Sequence, residues 1–135
     1  MLMGDMLTAV QMNLPIKVVV FNNSTLGFVE MEQKASGYVD ANVSLKNPDF
    51  GAIAREMGYF GTRVTRSDAL EAALREAFAH DGPALVDVVT EGLELIMPPK
   101  IQAEQAKGFS LYAARAVLSG RGDEVIELAK ANLFR

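Results

Sequence analysis

The 135-residue chain contains no cysteine and a single histidine. Without cysteine, the chain can form neither a disulfide framework nor a thiolate metal site. A zinc–histidine cluster or a Ser-His-Asp triad would have to be built around His80 alone. His80 stands shortly before Gly82 and Pro83, so we predict that it caps the C-terminus of a helix, where a cationic side chain complements the helix dipole.

Long apolar runs and basic blocks are also missing. No apolar segment is long enough to span a bilayer, and the first residues lack the basic region that marks a secretory signal, so we expect neither feature. The net charge of −4, without a basic block, argues against nucleic-acid binding. Half of the residues are hydrophobic, which predicts one ordinary core of the α/β class.

The most informative segment is an apolar run that ends at two asparagines. Residues 16–21 predict a parallel strand covered on both faces, and Asn22, Asn23 and a turn containing Gly27 follow it. Ligands of open α/β sheets gather at the carboxyl ends of such strands. An asparagine oxygen suits Mg²⁺ or Ca²⁺, and the turn can add a backbone carbonyl and amides. The alternative interpretation is an ordinary Asx-type turn.

Hydrophobic spacing predicts three strands that alternate with helices. The predicted strands are 16–21, 61–65 and 84–90, and the predicted helices are 1–13, 28–35, 49–57, 67–80, 102–118 and 123–135. This alternation predicts βαβ crossovers and a parallel sheet. Because a three-stranded parallel sheet has edges that need cover, we expect the chain to be part of something larger or to associate through those edges.

Four side chains carry specific expectations. Leu7 is predicted on the packing face of the first helix, Ser67 as a helix cap, and Phe78 in the buried stripe of the fourth helix. Asp87 interrupts the last apolar strand. It is either a partnered structural group or close to a site, and we favour the structural interpretation because an unpaired buried carboxylate is costly.

A domain boundary is predicted between residues 93 and 94. Residues 1–93 carry 7 basic and 12 acidic side chains, whereas residues 94–135 carry 6 and 5, which indicates a tail with a different role. The last predicted helix has an apolar side and a polar side. Such a helix can dock on its own domain, on a partner or flat on a membrane surface, and composition alone favours docking on protein.

Three segments together resemble the C-terminal region of thiamine-diphosphate-dependent enzymes: residues 17–28 (KVVVFNNSTLGF), 47–50 (NPDF) and 81–88 (DGPALVDV). Residues 101–112 and 120–130 resemble the quinone-dependent pyruvate dehydrogenase, or pyruvate oxidase, branch. The resemblance covers the whole chain. It implies that residues 1–93 are part of a parallel-sheet cofactor domain and that residues 94–135 form a helical tail.

The resemblance implies a set of site residues. Mg²⁺ would be held by the Asn23 side chain and the main-chain oxygen of Thr25, and by an aspartate from a Gly-Asp-Gly element. That element is missing, because Gly4 and Asp5 are followed by Met6 and lie too close to Asn23. The residues lining the cofactor would be Asn23, Ser24, Thr25, Leu26, Gly27, Phe28 and Val29. Phe28 and Glu32 are candidate catalytic residues, with a core aromatic as the alternative for Phe28.

For the intact enzyme, the resemblance implies oxidation of pyruvate to acetate and CO₂ with thiamine diphosphate, Mg²⁺ and FAD. FAD would bind largely outside this chain, and electrons would pass to ubiquinone. Residues 113–135 would bind membrane lipid reversibly, on the cytoplasmic face of the cell membrane, in a homotetramer. The chain alone is expected to be an inactive fragment. The alternatives are a pyruvate oxidase or acetolactate-synthase-like fragment and a non-catalytic lipid- or partner-binding module.

Overall fold

A computed structural model describes residues 3–93 and 102–133 of the chain. Two compact units are present: a sheet unit, Met1–Asn23 with Lys46–Thr90, and a helical unit, Ser24–Leu45 with Glu91–Arg135. This division of the chain differs from the predicted domain boundary between residues 93 and 94. That boundary stays a prediction. The mixed architecture, with a small parallel sheet, confirms the predicted α/β class.

Three strands form the sheet, in agreement with the predicted pattern: β1 (Lys17–Asn22), β2 (Phe60–Val64) and β3 (Ala84–Val89). All pairs are parallel and the order is β1-β3-β2, so β3 is central. The described helices are α1 (Met6–Gln11), α2 (Gly27–Ala35), α3 (Phe50–Glu56), α4 (Leu70–Ala79), α5 (Ala103–Leu118) and α6 (Gly122–Leu133).

The central strand is covered on both faces. Ala84, Val86 and Val88 pack with α4 on one face, whereas Leu85 packs on the other face with residues of α1 and α3. Successive side chains of a strand point to opposite faces, so an uninterrupted apolar run is what a doubly covered strand requires. The run in β3 therefore builds both halves of the core of the sheet unit.

Two glycines let α3 lie directly against β2. A Cβ atom on Gly61 would come within 2.2 Å of the Gly51 carbonyl oxygen, so neither position has space for a larger side chain. Asp49 caps α3 by accepting a hydrogen bond from the Ala52 backbone N–H at 2.7 Å. This cap begins α3 at the end of the sheet where β1 and β3 also finish.

The helical unit is built on α2, α5 and α6. Its core consists of Tyr112, Ala116 and Leu128, with Met31 of α2 packed against it. The helices α2 and α5 approach so closely that a Cβ atom on Gly108 would lie 1.7 Å from the Ala35 carbonyl oxygen. Buried groups on α2 are therefore shielded by the tail helices within this unit.

Several local expectations were wrong. The first helix is shorter than predicted, a 3-10 turn (Met3–Asp5) followed by α1, and Leu7 is exposed. Ser67 begins another 3-10 turn, and the helix after it has no side-chain cap. Phe78 is 65% exposed because Leu70, Ala73, Leu74 and Ala77 already fill the sheet-facing stripe of α4.

The prediction for His80 is confirmed in position. It is the C-cap residue of α4, and its ring lies 5.6 Å from the Phe60 ring. The predictions for Met1, Leu2, residues 94–101, Phe134 and Arg135 lie outside the described residues. In the described ranges, no helix has the length and apolar character needed to cross a bilayer.

Candidate functional site

The carboxyl end of β1 is held by a buried amide. Asn22 is only 2% exposed. Its Nδ2 donates to Asp87 Oδ1 at 3.0 Å, and its Oδ1 accepts from Asn47 Nδ2 at 2.9 Å. Both ends of the amide are engaged, so its orientation is fixed and the backbone that leads into Asn23 leaves the sheet from a defined position.

Asp87 is the centre of this arrangement in the sheet unit. Its side chain is fully buried on β3, and its second oxygen accepts from the Phe50 backbone N–H at 3.1 Å. Arg63 Nη1 lies 3.6 Å from the same oxygen. The structural interpretation of Asp87 is therefore confirmed. The same carboxylate also stands next to the predicted site, because it holds Asn22.

The chain passes from the sheet unit to the helical unit between Asn23 and Ser24. Ser24 has a φ of +55°, in the left-handed region that non-glycine residues rarely adopt. Beyond it, Leu45 N–H donates to the Ser24 carbonyl and Leu26 N–H donates to the Val43 carbonyl, both at 2.8 Å. These bonds form an isolated antiparallel bridge between Thr25 and Ser44.

This bridge determines where the Thr25 carbonyl points. Its two hydrogen bonds use the residues on either side of Thr25, which makes Thr25 and Ser44 a non-hydrogen-bonded pair. In such a pair the carbonyl points away from the opposite strand. The predicted metal-binding oxygen is thus directed outward from the loop.

The Thr25 side chain points to a buried carboxylate. Its Oγ1 donates to Glu30 Oε2 at 2.8 Å and lies 3.3 Å from the Val43 carbonyl oxygen. Glu30 forms an ion pair with Lys34, one helical turn along α2, and both side chains are buried. Lys34 Nζ is also 3.5 Å from Asp40 Oδ1.

The charges continue into the tail helices of the same unit. Arg121 bridges Asp40, at 3.3 Å, and Glu124, at 2.5 Å. Its hydrogen bond to Glu124 raises the pKa of the guanidinium, although burial acts in the opposite direction. Lys34 Nζ lies 5.4 Å from the centre of the Tyr112 ring, and burial raises the pKa of that phenol. Side chains of alternating charge therefore extend from Glu30, which accepts the Thr25 hydroxyl, to Glu124 of α6.

The start of α2 has the features of an anion site. Leu26 is the N-cap residue and provides no side-chain hydrogen bond, and Gly27 is the first helical residue. The first-turn amides of a helix attract phosphate groups. Leu26, Phe28 and Val29 are exposed, as a ligand-lining loop requires. Phe28 is 62% exposed, so within the described residues it is not a core aromatic.

Glu32 lies on the exposed side of α2. It lines a groove of about 680 Å³ together with residues of α2 and α5, among them Met31, Lys107 and Leu111. Phe28 and Glu32 are one helical turn apart on the same helix. Their catalytic roles stay predictions.

The predicted ligands have the chemistry of a partial Mg²⁺ site. In the described parts of the chain, no three His, Asp or Glu side chains form a metal-binding cluster. The two predicted ligands are the amide oxygen of half-buried Asn23 and the main-chain carbonyl of Thr25. Both are hard, neutral oxygens of the type that Mg²⁺ accepts, and the helix start beside them suits a diphosphate.

Sequence reasoning missed the groups that hold this loop. Glu30 and Lys34 stand four residues apart, which is the spacing of a helical ion pair, but nothing local shows that the pair is buried. The sequence did mark Asp87, as a charge within an apolar run, yet its partners Asn22 and Phe50 lie far away along the chain.

Comparison with known proteins gives a consistent family. The sequence model of the thiamine pyrophosphate enzyme C-terminal TPP binding domain matches residues 1–88. The putative thiamine pyrophosphate-containing protein YdaP of Bacillus subtilis (strain 168) is 40% identical over 131 residues, which cover 97% of this chain and 23% of that protein.

Two acetolactate synthases are also similar. The mitochondrial catalytic subunit of Aspergillus candidus is 36% identical over 100 residues, 73% of this chain and 14% of that protein. The isozyme 2 large subunit of Escherichia coli (strain K12) is 35% identical over 94 residues, 67% of this chain and 17% of that protein. The chain thus spans less than a quarter of the length of these relatives. It belongs to the thiamine pyrophosphate enzyme family, and residues 1–88 match the C-terminal TPP-binding domain of that family.

Proposed function

We propose that this chain supplies the magnesium–diphosphate part of the active site of a thiamine-diphosphate enzyme that acts on pyruvate. The Asn23 amide oxygen and the Thr25 main-chain carbonyl bind Mg²⁺, and the backbone of residues 24–29 holds the diphosphate. The observation that supports the proposal is the loop after β1, which has a left-handed Ser24, leads into a helix without a side-chain cap, and lies within the family match.

The division of work between chain and cofactor follows from this geometry. A small octahedral ion that bridges phosphates needs few protein oxygens, provided that they are rigidly held. Here the bridge to Ser44 holds Thr25. When bound, the cofactor supplies the stabilisation of negative charge that decarboxylation requires. The third protein ligand is an aspartate outside this chain, as the resemblance implies.

The finer proposal is a pyruvate:quinone oxidoreductase that forms acetate and CO₂, with FAD bound outside this chain. It is supported by the length of the Bacillus subtilis match, which includes nearly all of residues 94–135. The matches to acetolactate synthases cover 73% and 67% of the chain. The tail therefore matches the Bacillus subtilis relative, which is not named as an acetolactate synthase.

An acetolactate-forming enzyme is the second candidate. It is favoured by 35–36% identity to two acetolactate synthases over two thirds or more of the chain. The two candidates differ in what happens after decarboxylation. Oxidation yields acetate and needs an electron acceptor, whereas acetolactate formation needs a second pyruvate and no acceptor.

A chimera tests both candidates. This chain replaces the matching segment of the Bacillus subtilis relative, and the chimera is supplied with pyruvate, thiamine diphosphate, Mg²⁺, FAD and ferricyanide. We expect acetate formation that depends on ferricyanide. Acetolactate formed without ferricyanide would favour the second candidate. Neither product, from a chimera that is folded by circular dichroism, would refute both.

A matched pair of variants links the activity to the loop. Asn23→Ala removes one proposed ligand, and we expect the Mg²⁺ concentration at half-maximal activity to rise at least tenfold. Gln11→Ala removes an exposed amide at the end of α1 and is expected to leave it unchanged. An equal response of the two variants would exclude Asn23 as a ligand.

The tail supports a proposed role at the membrane. Val117, Leu118 and Ile126 are large exposed apolar residues, and Leu118 is 86% exposed. We propose that residues 113–135 bind lipid through them, in a homotetramer on the cytoplasmic face that passes electrons to ubiquinone. Weak amphipathic helices of this kind bind a membrane surface reversibly.

Point variants test lipid binding better than truncation, because removing residues 113–135 would also remove buried Ala116 and Leu128. We expect Val117→Ser combined with Leu118→Ser to abolish sedimentation with phosphatidylethanolamine/phosphatidylglycerol vesicles. Phe78→Ser, an exposed apolar position outside the tail, is the control. Equal sedimentation of both proteins would refute the role of the tail.

A further inference from the structure

A buried carboxylate of the helical unit faces the residue that carries the proposed main-chain ligand. Glu30 is 6% exposed, and its Oε2 accepts the Thr25 hydroxyl at 2.8 Å. A hydrogen bond to an ionised acceptor is about twice as strong as one between neutral groups. The side chain of Thr25 is therefore held by Glu30, whereas its main-chain carbonyl points away from Ser44.

Glu30 is itself held in place. It pairs with Lys34, and Lys34 also lies 3.5 Å from Asp40. Asp40 in turn is 3.3 Å from Arg121. The carboxylate that receives the Thr25 hydroxyl thus belongs to a fixed row of charges and cannot turn away without breaking a buried ion pair.

We propose that Glu30 is a positioning residue for the magnesium–diphosphate loop. By holding the Thr25 hydroxyl, it stabilises the bridge to Ser44 that directs the Thr25 main-chain carbonyl. The identity of that carbonyl as a metal ligand rests on the proposed function. The contact between Glu30 and Thr25 rests on the geometry of the helical unit alone.

A main-chain ligand does not ordinarily depend on the side chain of its own residue. If the carbonyl acted alone, any side chain of similar shape at position 25 would serve, and valine would replace threonine without effect. If Glu30 sets its direction, the hydroxyl is required even though it never touches the metal. Outer groups that orient a ligand typically change metal affinity by about 10–100-fold when they are lost.

Hydrogen exchange in the 135-residue chain tests the positioning step without any cofactor. The reporters are the Leu26 and Leu45 amides, whose hydrogen bonds close the bridge. We expect Thr25→Val to accelerate their exchange about tenfold, as the loss of a hydrogen bond to a charged group permits. Thr25→Ser keeps the hydroxyl and should restore slow exchange. Unchanged exchange in Thr25→Val would overturn the proposal.

Metal binding tests the consequence. Mn²⁺, which is visible by electron paramagnetic resonance, is titrated in the presence of thiamine diphosphate into the chimera described above. We expect Thr25→Val and Glu30→Gln each to weaken Mn²⁺ binding about tenfold or more, and Thr25→Ser to bind within about threefold of the unaltered chimera. Thr25→Val leaves the ion pair of Glu30 and Lys34 intact, so this comparison holds even if Glu30→Gln fails to fold.

The control is Glu71→Gln, the same substitution in an exposed ion pair with Arg75 on α4. It should alter neither exchange at Leu26 nor Mn²⁺ affinity. Absence of Mn²⁺ binding in the unaltered chimera would overturn the proposed function and the metal-directing role, while the exchange rates would still decide whether Glu30 holds Thr25. Normal Mn²⁺ affinity in both Thr25→Val and Glu30→Gln would overturn the positioning role alone.

Discussion

Asp87 of the sheet unit and Glu30 of the helical unit are both buried carboxylates, yet they are neutralised in different ways. Asp87 accepts hydrogen bonds from the Asn22 amide and the Phe50 backbone, and Arg63 lies 3.6 Å from it. Glu30 pairs directly with Lys34, which is equally buried, and accepts the Thr25 hydroxyl. One carboxylate relies on neutral donors and the other on a cation.

The difference shows two routes to a rigid loop. One donor to Asp87 lies on β1 and the other lies at the start of α3. Both donors are therefore held in place by secondary structure of the sheet unit. Thr25 and Lys34, the partners of Glu30, lie within five residues of it in α2 and its preceding loop, and they depend on the tail helices for burial. Along the chain, residues 23 and 24 lie between Asn22 and Thr25, the two residues that these carboxylates hold.

The largest predicted effect comes from breaking the buried ion pair. Lys34→Met removes the cation paired with Glu30 and takes one of the two described cations from Asp40, which keeps Arg121. Because removing one partner of a buried pair strands a charge, we expect a loss of about 3–5 kcal/mol in the free energy of unfolding, measured by urea denaturation. Lys107→Met, an exposed lysine of α5, is the control. A loss below about 1 kcal/mol would show that solvent reaches Glu30.

A smaller loss is expected in the sheet unit. Asp87→Asn keeps the shape of the side chain but turns one acceptor into a donor, which must face either the Asn22 amide or the Phe50 N–H. We expect about 1–3 kcal/mol of destabilisation in the same urea experiment, because one buried donor loses its partner.

Asp68→Asn is the matched control for this substitution, since Asp68 is exposed and pairs with exposed Arg66. Its expected effect is below about 1 kcal/mol. If Asp87→Asn cost more than Lys34→Met, the neutral donors would matter more than the buried cation. Asp87 and its neutral donors would then contribute more to the free energy of unfolding than Glu30 and its buried cation.

Strands β1 and β3 were predictable from sequence because each is a short, mainly apolar run that closely follows a proline, and a parallel order follows from the intervening helices. The exact residues at which helices begin were not predictable. Ser67 is an acceptable cap by type, but the chain makes a 3-10 turn there and α4 begins at Leu70. The prediction that Phe78 is buried was wrong because hydrophobicity alone does not show that other residues already fill the sheet-facing stripe of the helix.

For the candidate site, the sequence predicted a binding loop after β1, which stays a prediction, and it missed the groups that hold this loop. Asn23 and Thr25 belong to a contiguous segment that resemblance can mark. Glu30 resembles any surface helix residue until α5 covers it, and Gly108, which allows that close approach, stands 78 positions later in the chain. Burial that depends on such distant residues has no local signature.

The smallest predicted effect compares two buried tyrosines, one in each unit. Tyr59 donates its hydroxyl to the Met6 carbonyl at 3.0 Å, whereas the buried Tyr112 hydroxyl has no hydrogen-bond partner within residues 3–93 and 102–133. We expect Tyr59→Phe to cost about 1 kcal/mol and Tyr112→Phe to cost nothing or to stabilise the chain slightly, measured by thermal and urea unfolding at pH 7. Equal losses would mean that Tyr112 is hydrogen-bonded after all.

Alkaline pH sharpens the same comparison. Burial raises the pKa of both phenols above their ordinary value, so the stability that the neutral tyrosines contribute is complete below pH 10 and is lost as the pH rises through their folded pKa. Nearby Asp40 and Glu124 add to the rise at Tyr112, although burial is the main cause and Lys34 opposes it. Tyr112→Phe should therefore flatten the fall in stability above pH 10, measured by urea midpoints. An unchanged slope would show that ionisation of Tyr112 does not limit the helical unit at high pH.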